Sequence, residues 1–182
     1  MTKFEKIVTL KDGRTALLRE VRPQDARAAV DYVRQVDTET RFLAREPGEF
    51  TTTVEEEAAL FQKAAESPAS FWSVAFLDGE LVGMCSGDLQ GSRRRFRHRA
   101  VVAISLLEKA WGLGLGTALL TACLDWYRER GCEQAELTVI KDNTRAQGLY
   151  RKLGFVPCGE IPHGTKYSDG TYADEVLMVK ML

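Results

Sequence analysis

Apolar and polar positions first alternate with the short period of strands, then switch repeatedly between that period and the longer one of helices. Positions 7–22 read as two strands around Asp12-Gly13, since Asp-Gly between β-rich flanks supplies the backbone angles of a tight hairpin turn. Pro23 stops the second strand. Ala29, Val30 and Val33 then recur at helical spacing, predicting a helix over 25–36. Positions 37–53 have no clear period. A second helix is predicted over 54–66, with Thr53 as its N-cap and Glu56 completing a capping box. Its first turn carries Glu55, Glu56 and Glu57, where the helix dipole favours negative charge. Strands are expected over 71–76 and 81–88, joined by a second Asp-Gly turn at Asp78-Gly79. A basic loop over 91–99 leads into a strongly apolar strand, 100–107, expected to be buried on both faces.

After a Gly-rich stretch, a helix is predicted over 117–130, with Gly131 as its C-terminal cap. A strand over 135–140 follows, then a helix over 144–153 begun by Asp142-Asn143 and ended by Gly154. Two strands, 155–166 and 172–181, close the chain around Ser168-Asp169-Gly170. This order predicts an α/β fold with mainly antiparallel strands and about four helices. One strand–helix–strand crossover makes strands 100–107 and 135–140 parallel neighbours.

Composition narrows the class without naming it. The chain has 182 residues, the size of one domain, so 1–182 is expected to fold as a single unit. A net charge of −1 gives no global pull toward nucleic acid or membrane, and neither is expected as a partner. The four cysteines, Cys85, Cys123, Cys132 and Cys158, lack the close spacing of a zinc knuckle or redox dithiol. With only His98 and His163 besides, no metal site is expected. The first ten residues lack the apolar stretch of a signal peptide, and no apolar run approaches the ~18 residues of a membrane span. A soluble cytoplasmic protein is the expectation.

The chemistry-bearing stretch is Lys109-Ala110-Trp111-Gly112-Leu113-Gly114-Leu115-Gly116-Thr117, between the apolar strand and a helix. The first amides of a helix have no intrahelical partner, and the dipole adds positive character there. Glycines let the backbone approach a ligand closely. An isolated Gly-x-Gly is more often a plain tight turn. Three alternating glycines at this place point instead to a phosphate site, pyrophosphate above all. The dinucleotide fingerprint wants Gly or Ala where Thr117 stands, and no Gly-Lys-Ser or Gly-Lys-Thr occurs, so the two commonest nucleotide motifs are excluded.

This stretch resembles the phosphate loop of the GNAT superfamily of N-acetyltransferases. Gly114 and Gly116 match the family's glycines, while Trp111 stands where Gln or Arg is commonest. A second block matches too: Leu137 and Val139, then Asn143, Ala146, Leu149-Tyr150 and Leu153-Gly154-Phe155. The resemblance implies a splayed parallel strand pair with pantetheine in the gap, and acetyl-CoA as co-substrate without a metal. It implies that backbone groups of Ile104, Leu106 and Leu107 hold pantetheine, one N–H facing the thioester carbonyl as an oxyanion donor. Trp111, Gly112, Leu113, Gly114, Leu115, Gly116 and Thr117 would take the pyrophosphate. Asn143 would orient backbone or coenzyme, or serve simply as a helix cap. Tyr150 would protonate the departing thiolate; by its spacing alone it is a core aromatic beside Leu149 and Leu153.

The general base stays open. The superfamily's ribosomal-protein acetyltransferases place a Glu where Thr138 stands. Glu136 shares the face of Thr138 and is a candidate through water. Asp88, His98, His163, Asp174 and Glu175 are others, each more readily read as a surface or paired group. The run Arg93-Arg94-Arg95-Phe96-Arg97-His98-Arg99 reads as a solvated loop or, more sharply, as an acceptor-side basic patch. Segment 37–53, with Phe42, Glu46 and Phe50, is expected to cover the acceptor mouth, joined by Tyr167 and Tyr172. The expected function is acetyl transfer from acetyl-CoA to a primary amine, a small molecule favoured. The alternatives are a protein N-terminal or lysine acetyltransferase, and a coenzyme-A-binding sensor without turnover. A homodimer is a possible assembly by resemblance.

Overall fold

A computed structural model describes residues 4–91 and 93–182. Met1 to Lys3 of the N-terminal stretch and Ser92 of the basic loop lie outside the described residues. The chain divides into two compact units. One is the part up to Asp88 together with Ala103–Cys123; the other is Leu89–Val102 with Leu124–Leu182.

The first unit opens with β1 (Glu5–Thr9) and β2 (Thr15–Glu20), antiparallel around Gly13, whose φ is +87°. Asp12 Oδ1 accepts from the Arg14 N–H across the turn, the local bond that makes Asp effective there. α1 (Ala26–Glu39) runs three residues past its predicted end, because Val36 and Asp37 continue the buried stripe of Ala29, Val30 and Val33. α2 (Val54–Glu66) has the predicted limits and capping box. Thr53 Oγ1 accepts from the Glu56 N–H at 3.2 Å, and Glu56 accepts in return from the Thr53 N–H at 2.8 Å. β3 (Ser70–Leu77) and β4 (Glu80–Leu89) form the second hairpin, and β2 pairs antiparallel with β3. The core of this unit gathers Leu18, Val30, Val36, Phe61, Phe71 and Leu119, all of them fully buried.

β5 (Arg99–Leu106) begins in the second unit and ends in the first; within the second it pairs in parallel with β6 (Gln134–Ile140), as the crossover requires. That pairing covers only Arg99–Val101 against Gln134–Glu136. The rest of β6 stays paired with β8 (Tyr172–Met181), which pairs in turn with β7 (Val156–Lys166); both pairings are antiparallel. α3 (Leu115–Glu129) begins in the first unit, ends in the second, and is closed by Gly131 at φ +77°. α4 (Thr144–Lys152) belongs to the second. Eight strands, one parallel pairing and four α-helices among the described residues make the mixed, mainly antiparallel architecture expected. No helix among the described residues is long and apolar enough to cross a membrane.

One expectation fails. β5 is not buried on both faces: Val101 is 42 % exposed and Ala103 is exposed, alternating with buried Ala100 and Val102. An unbroken apolar run has the same spelling whether its second face is covered or open, so hydropathy alone misassigned it.

Candidate active site

The Gly-rich stretch is built within the first unit. β5 ends at Leu106, a single 3-10 turn spans Glu108–Ala110, and α3 starts at Leu115. The sequence pattern placed that helix start two residues later and gave no sign of the turn. Gly112 and Gly114 have φ of +75° and +89°, a region an L side chain enters only with strain. A Cβ at either would meet nothing within 4 Å, so the backbone faces open space. Among the described residues, no side chain caps the first N–H groups of α3, those of Leu115, Gly116 and Thr117. Uncapped amides at a helix start suit an anion such as a pyrophosphate, and the residues present fit that group.

Four ties hold the loop in place. The Lys11 N–H donates to the Leu113 carbonyl at 3.1 Å, so the N-terminal hairpin braces it. The Trp111 indole N–H donates to the Leu106 carbonyl at 2.9 Å. Glu39, at the end of α1, accepts from the Glu108 N–H at 2.6 Å, and Lys109 pairs with Glu80. The indole therefore braces the strand end, which explains how Trp can stand at a position where the resemblance leads one to look for Gln or Arg.

The end of β5 has a defined polarity. The Leu107 N–H donates to the Val82 carbonyl of β4 at 2.9 Å. N–H directions alternate along a strand, so those of Ile104 and Leu106 point away from β4. Leu107 itself is fully buried. The phenol of Tyr32, from α1, lies 2.8 Å from Ser105 Oγ on the same strand. Neither residue was singled out from the sequence, because the contact joins positions 73 residues apart and no motif records it.

The second unit holds Asn143, Tyr150 and most of the candidate bases. Asn143 caps α4: its Oδ1 accepts from the Ala146 N–H at 3.1 Å. Tyr150 is 7 % exposed and packs edge-on against Phe155, with ring centroids 5.9 Å apart. Thr138 is exposed on β6, and Glu136, on the same face, is buried and paired with Arg99 at 2.6 Å. The guanidinium engages that carboxylate oxygen directly. Arg99 Nε and Glu136 Oε1 are buried without hydrogen-bond partners.

The carboxylates among the other base candidates are engaged as well, and so is the His163 ring. Asp88, in the first unit, accepts from Ser70 Oγ at 2.5 Å and from the Trp72 indole at 3.4 Å. His163 stacks on Tyr172 at 4.7 Å, and its backbone N–H donates to Asp174 Oδ1. Glu175 accepts from Thr165 Oγ1 at 2.7 Å. The His98 carbonyl accepts from the N–H groups of Glu133 and Gln134. Arg93, Arg94, Arg95 and Arg97 are exposed around a turn with Phe96, in keeping with a solvated loop.

Segment 40–53, in the first unit, has no regular element, and an ion pair helps to order it. Asp37, with no side-chain exposure, binds Arg45 through both oxygens at 2.9 and 3.1 Å, and the guanidinium lies over the Phe50 ring at 5.4 Å. Phe42, Glu46 and Phe50 are half-buried. Burial pushes the Glu57 carboxyl above its usual range, with Arg45 partly opposing.

A family model described as "Acetyltransferase (GNAT) family" matches residues 30–155, from α1 to the Phe155 that packs on Tyr150. The chain belongs to the GNAT family. It is an acetyl-CoA-dependent N-acetyltransferase, as its relatives' names agree. It is 32 % identical over 126 residues to L-amino acid N-acetyltransferase AaaT of Escherichia coli, covering 66 % of this chain and 74 % of that one. It is 34 % identical over 113 residues to an N-alpha-acetyltransferase of Sulfurisphaera tokodaii, covering 58 % of this chain and 66 % of that one. A GNAT acetyltransferase structure from Streptococcus pneumoniae superposes with a TM-score of 0.87 at 32 % identity, covering 92 % of this chain and 99 % of that one.

Proposed function

We propose that this GNAT enzyme acetylates a small-molecule primary amine by direct attack on the thioester of acetyl-CoA. The observation that carries the coenzyme half of this reading is the start of α3. Among the described residues no side chain bonds its first N–H groups, and Gly112 and Gly114, at positive φ, lead into it with open space where their side chains would stand. Backbone from Trp111 to Thr117 holds the pyrophosphate there. The Ile104 and Leu106 N–H groups, directed away from β4, hold pantetheine and leave one donor for the thioester carbonyl. A fixed donor at that point stabilises the oxyanion as the amine adds. The amine nitrogen forms its bond to the carbonyl carbon, the carbon–sulfur bond breaks, and the Tyr150 phenol gives its proton to the sulfur. No side chain is acylated on the way. With Glu136, Asp88 and Glu175 all engaged, the amine's proton leaves through water.

The small-molecule acceptor is supported by the amino-acid substrate in the name of the Escherichia coli relative. The Sulfurisphaera relative's name supports the second reading, a protein N-terminus as acceptor. Thiol release with purified enzyme, acetyl-CoA and a panel of amines and peptides separates the two. Turnover with free amines supports the first, and turnover with peptides alone overturns it. In the same assay Tyr150→Phe is expected to lower kcat by about 10²–10⁴-fold, the range for removing a general acid, and to leave acetyl-CoA affinity nearly unchanged. An unaltered kcat across the pH range would remove Tyr150 from that role.

A further inference from the structure

Geometry leaves either hydroxyl of the Tyr32–Ser105 pair free to donate. A phenol is more acidic than an aliphatic alcohol and so the better donor, which favours the arrangement in which the Tyr32 O–H donates to Ser105 Oγ. Burial drives the Tyr32 pKa upward, so the phenol keeps its proton throughout the working range and is no base. With its oxygen receiving the tyrosine's proton, Ser105 has its own proton to offer elsewhere. Tyr32 is 3 % exposed and locked, whereas Ser105 is only half-buried and can reach a ligand.

Ser105 lies between Ile104 and Leu106, the residues whose amides face the pantetheine side. An O–H donor at this point cannot usefully bind the attacking nitrogen, because that lone pair is needed for the thioester carbon. It can bind an oxygen of the acceptor. A hydrogen bond spans about 2.8 Å, so the oxygen has to sit close to the amine, as in the N–Cα–C=O unit. We propose that Ser105, oriented by Tyr32, positions the acceptor by donating to a carbonyl or carboxylate oxygen on the carbon next to the amine-bearing one, so that the enzyme's acceptors are α-amino acyl compounds. This rests on the acetyl-transfer reading and deepens it. Amines without that oxygen, such as alkylamines and lysine side chains, are poor acceptors by the same argument.

The test compares matched acceptors: leucinamide with isoamylamine, phenylalaninamide with phenethylamine, and methioninamide with 3-(methylthio)propylamine. Within each pair only the carboxamide differs. The wild type is expected to prefer the amide in kcat/KM by about tenfold or more, the effect of one hydrogen bond. Ser105→Ala should bring the ratio close to one, chiefly by raising KM for the amides, with acetyl-CoA affinity unchanged by calorimetry. Ser105→Thr, which keeps the hydroxyl, should restore the preference, and Tyr32→Phe should weaken it in part. Equal loss of kcat for both members of each pair would make Ser105 an oxyanion donor and overturn the proposal. Weakened acetyl-CoA binding with an intact ratio would overturn it too, as would a wild type that binds acetyl-CoA yet shows no preference or acetylates neither member. A wild type that does not bind acetyl-CoA would instead sink the acetyl-transfer reading beneath it.

Discussion

Two helix starts in this molecule carry the motif blocks of the family, and they are finished in opposite ways. α4 is closed by its own sequence, since the Asn143 side chain caps it through the Ala146 N–H. α3 has no such cap. Two glycines at positive φ lead into it, and the space in front of them is open. A helix with a side-chain cap gains roughly 0.5–2 kcal/mol of stability. One without it keeps its first donors for a ligand. The same device, an asparagine before a helix, would have been a poor choice ahead of α3, where its side chain would compete with phosphate. α2 is a control inside the same chain: its Thr53–Glu56 box satisfies two donors reciprocally, and neither is left over for a ligand.

The sharpest way to break this contrast is Gly114→Val. A β-branched residue at φ +89° is strained by about 1–2 kcal/mol or more, and its side chain enters the space before the loop. Acetyl-CoA affinity should fall by about 100-fold, which corresponds to roughly 3 kcal/mol, as read by calorimetry. Asn143→Ala should act on the fold instead. A loss of about 1 kcal/mol is expected in chemical denaturation, with acetyl-CoA affinity changed far less than in Gly114→Val. If Asn143→Ala weakened acetyl-CoA as strongly, the asparagine would be a coenzyme ligand first and a cap second. Thr53→Ala should cost a similar ~1 kcal/mol and leave acetyl-CoA affinity alone.

The smallest expected effect is also at the start of α2. Burial raises the Glu57 carboxyl pKa in the folded state. The native protein then binds this proton more tightly than the unfolded chain, so stability falls as pH rises from the unfolded carboxylate value, about 4.3, through the higher native one. Glu57→Gln removes that loss. The variant should gain stability relative to wild type at neutral pH and lose the advantage in acid, as measured by denaturation midpoints across the range.

The elements that rest on local chemistry were legible in the sequence. Asp12-Gly13 and Asp78-Gly79 formed hairpin turns because their angles are set by two residues, and Thr53 with Glu56 fixed α2 within four. Gly131 closed α3 for the same kind of reason. The Gly-rich turn between β5 and α3 was legible as well, though the 3-10 turn at Glu108–Ala110 was not, since no periodicity marks a single turn. What could not be read were the pairings across the fold. Arg99 meets Glu136 only because β5 and β6 lie side by side in register. Tyr32 reaches Ser105 from a helix 73 positions earlier. Asp37 and Arg45 order a segment whose own sequence has no period. Such contacts show which candidate carboxylates are already engaged, which sequence alone had left open.

The most direct test is calorimetric titration of acetyl-CoA into wild type and Gly114→Val side by side, with desulfo or dephosphorylated fragments of the coenzyme as companions. Saturable binding by the wild type, greatly weakened in Gly114→Val and dependent on the pyrophosphate, is the predicted result. Equal affinity in the two proteins would mean that the open start of α3 is not where the coenzyme is held, and would contradict the assignment of the site.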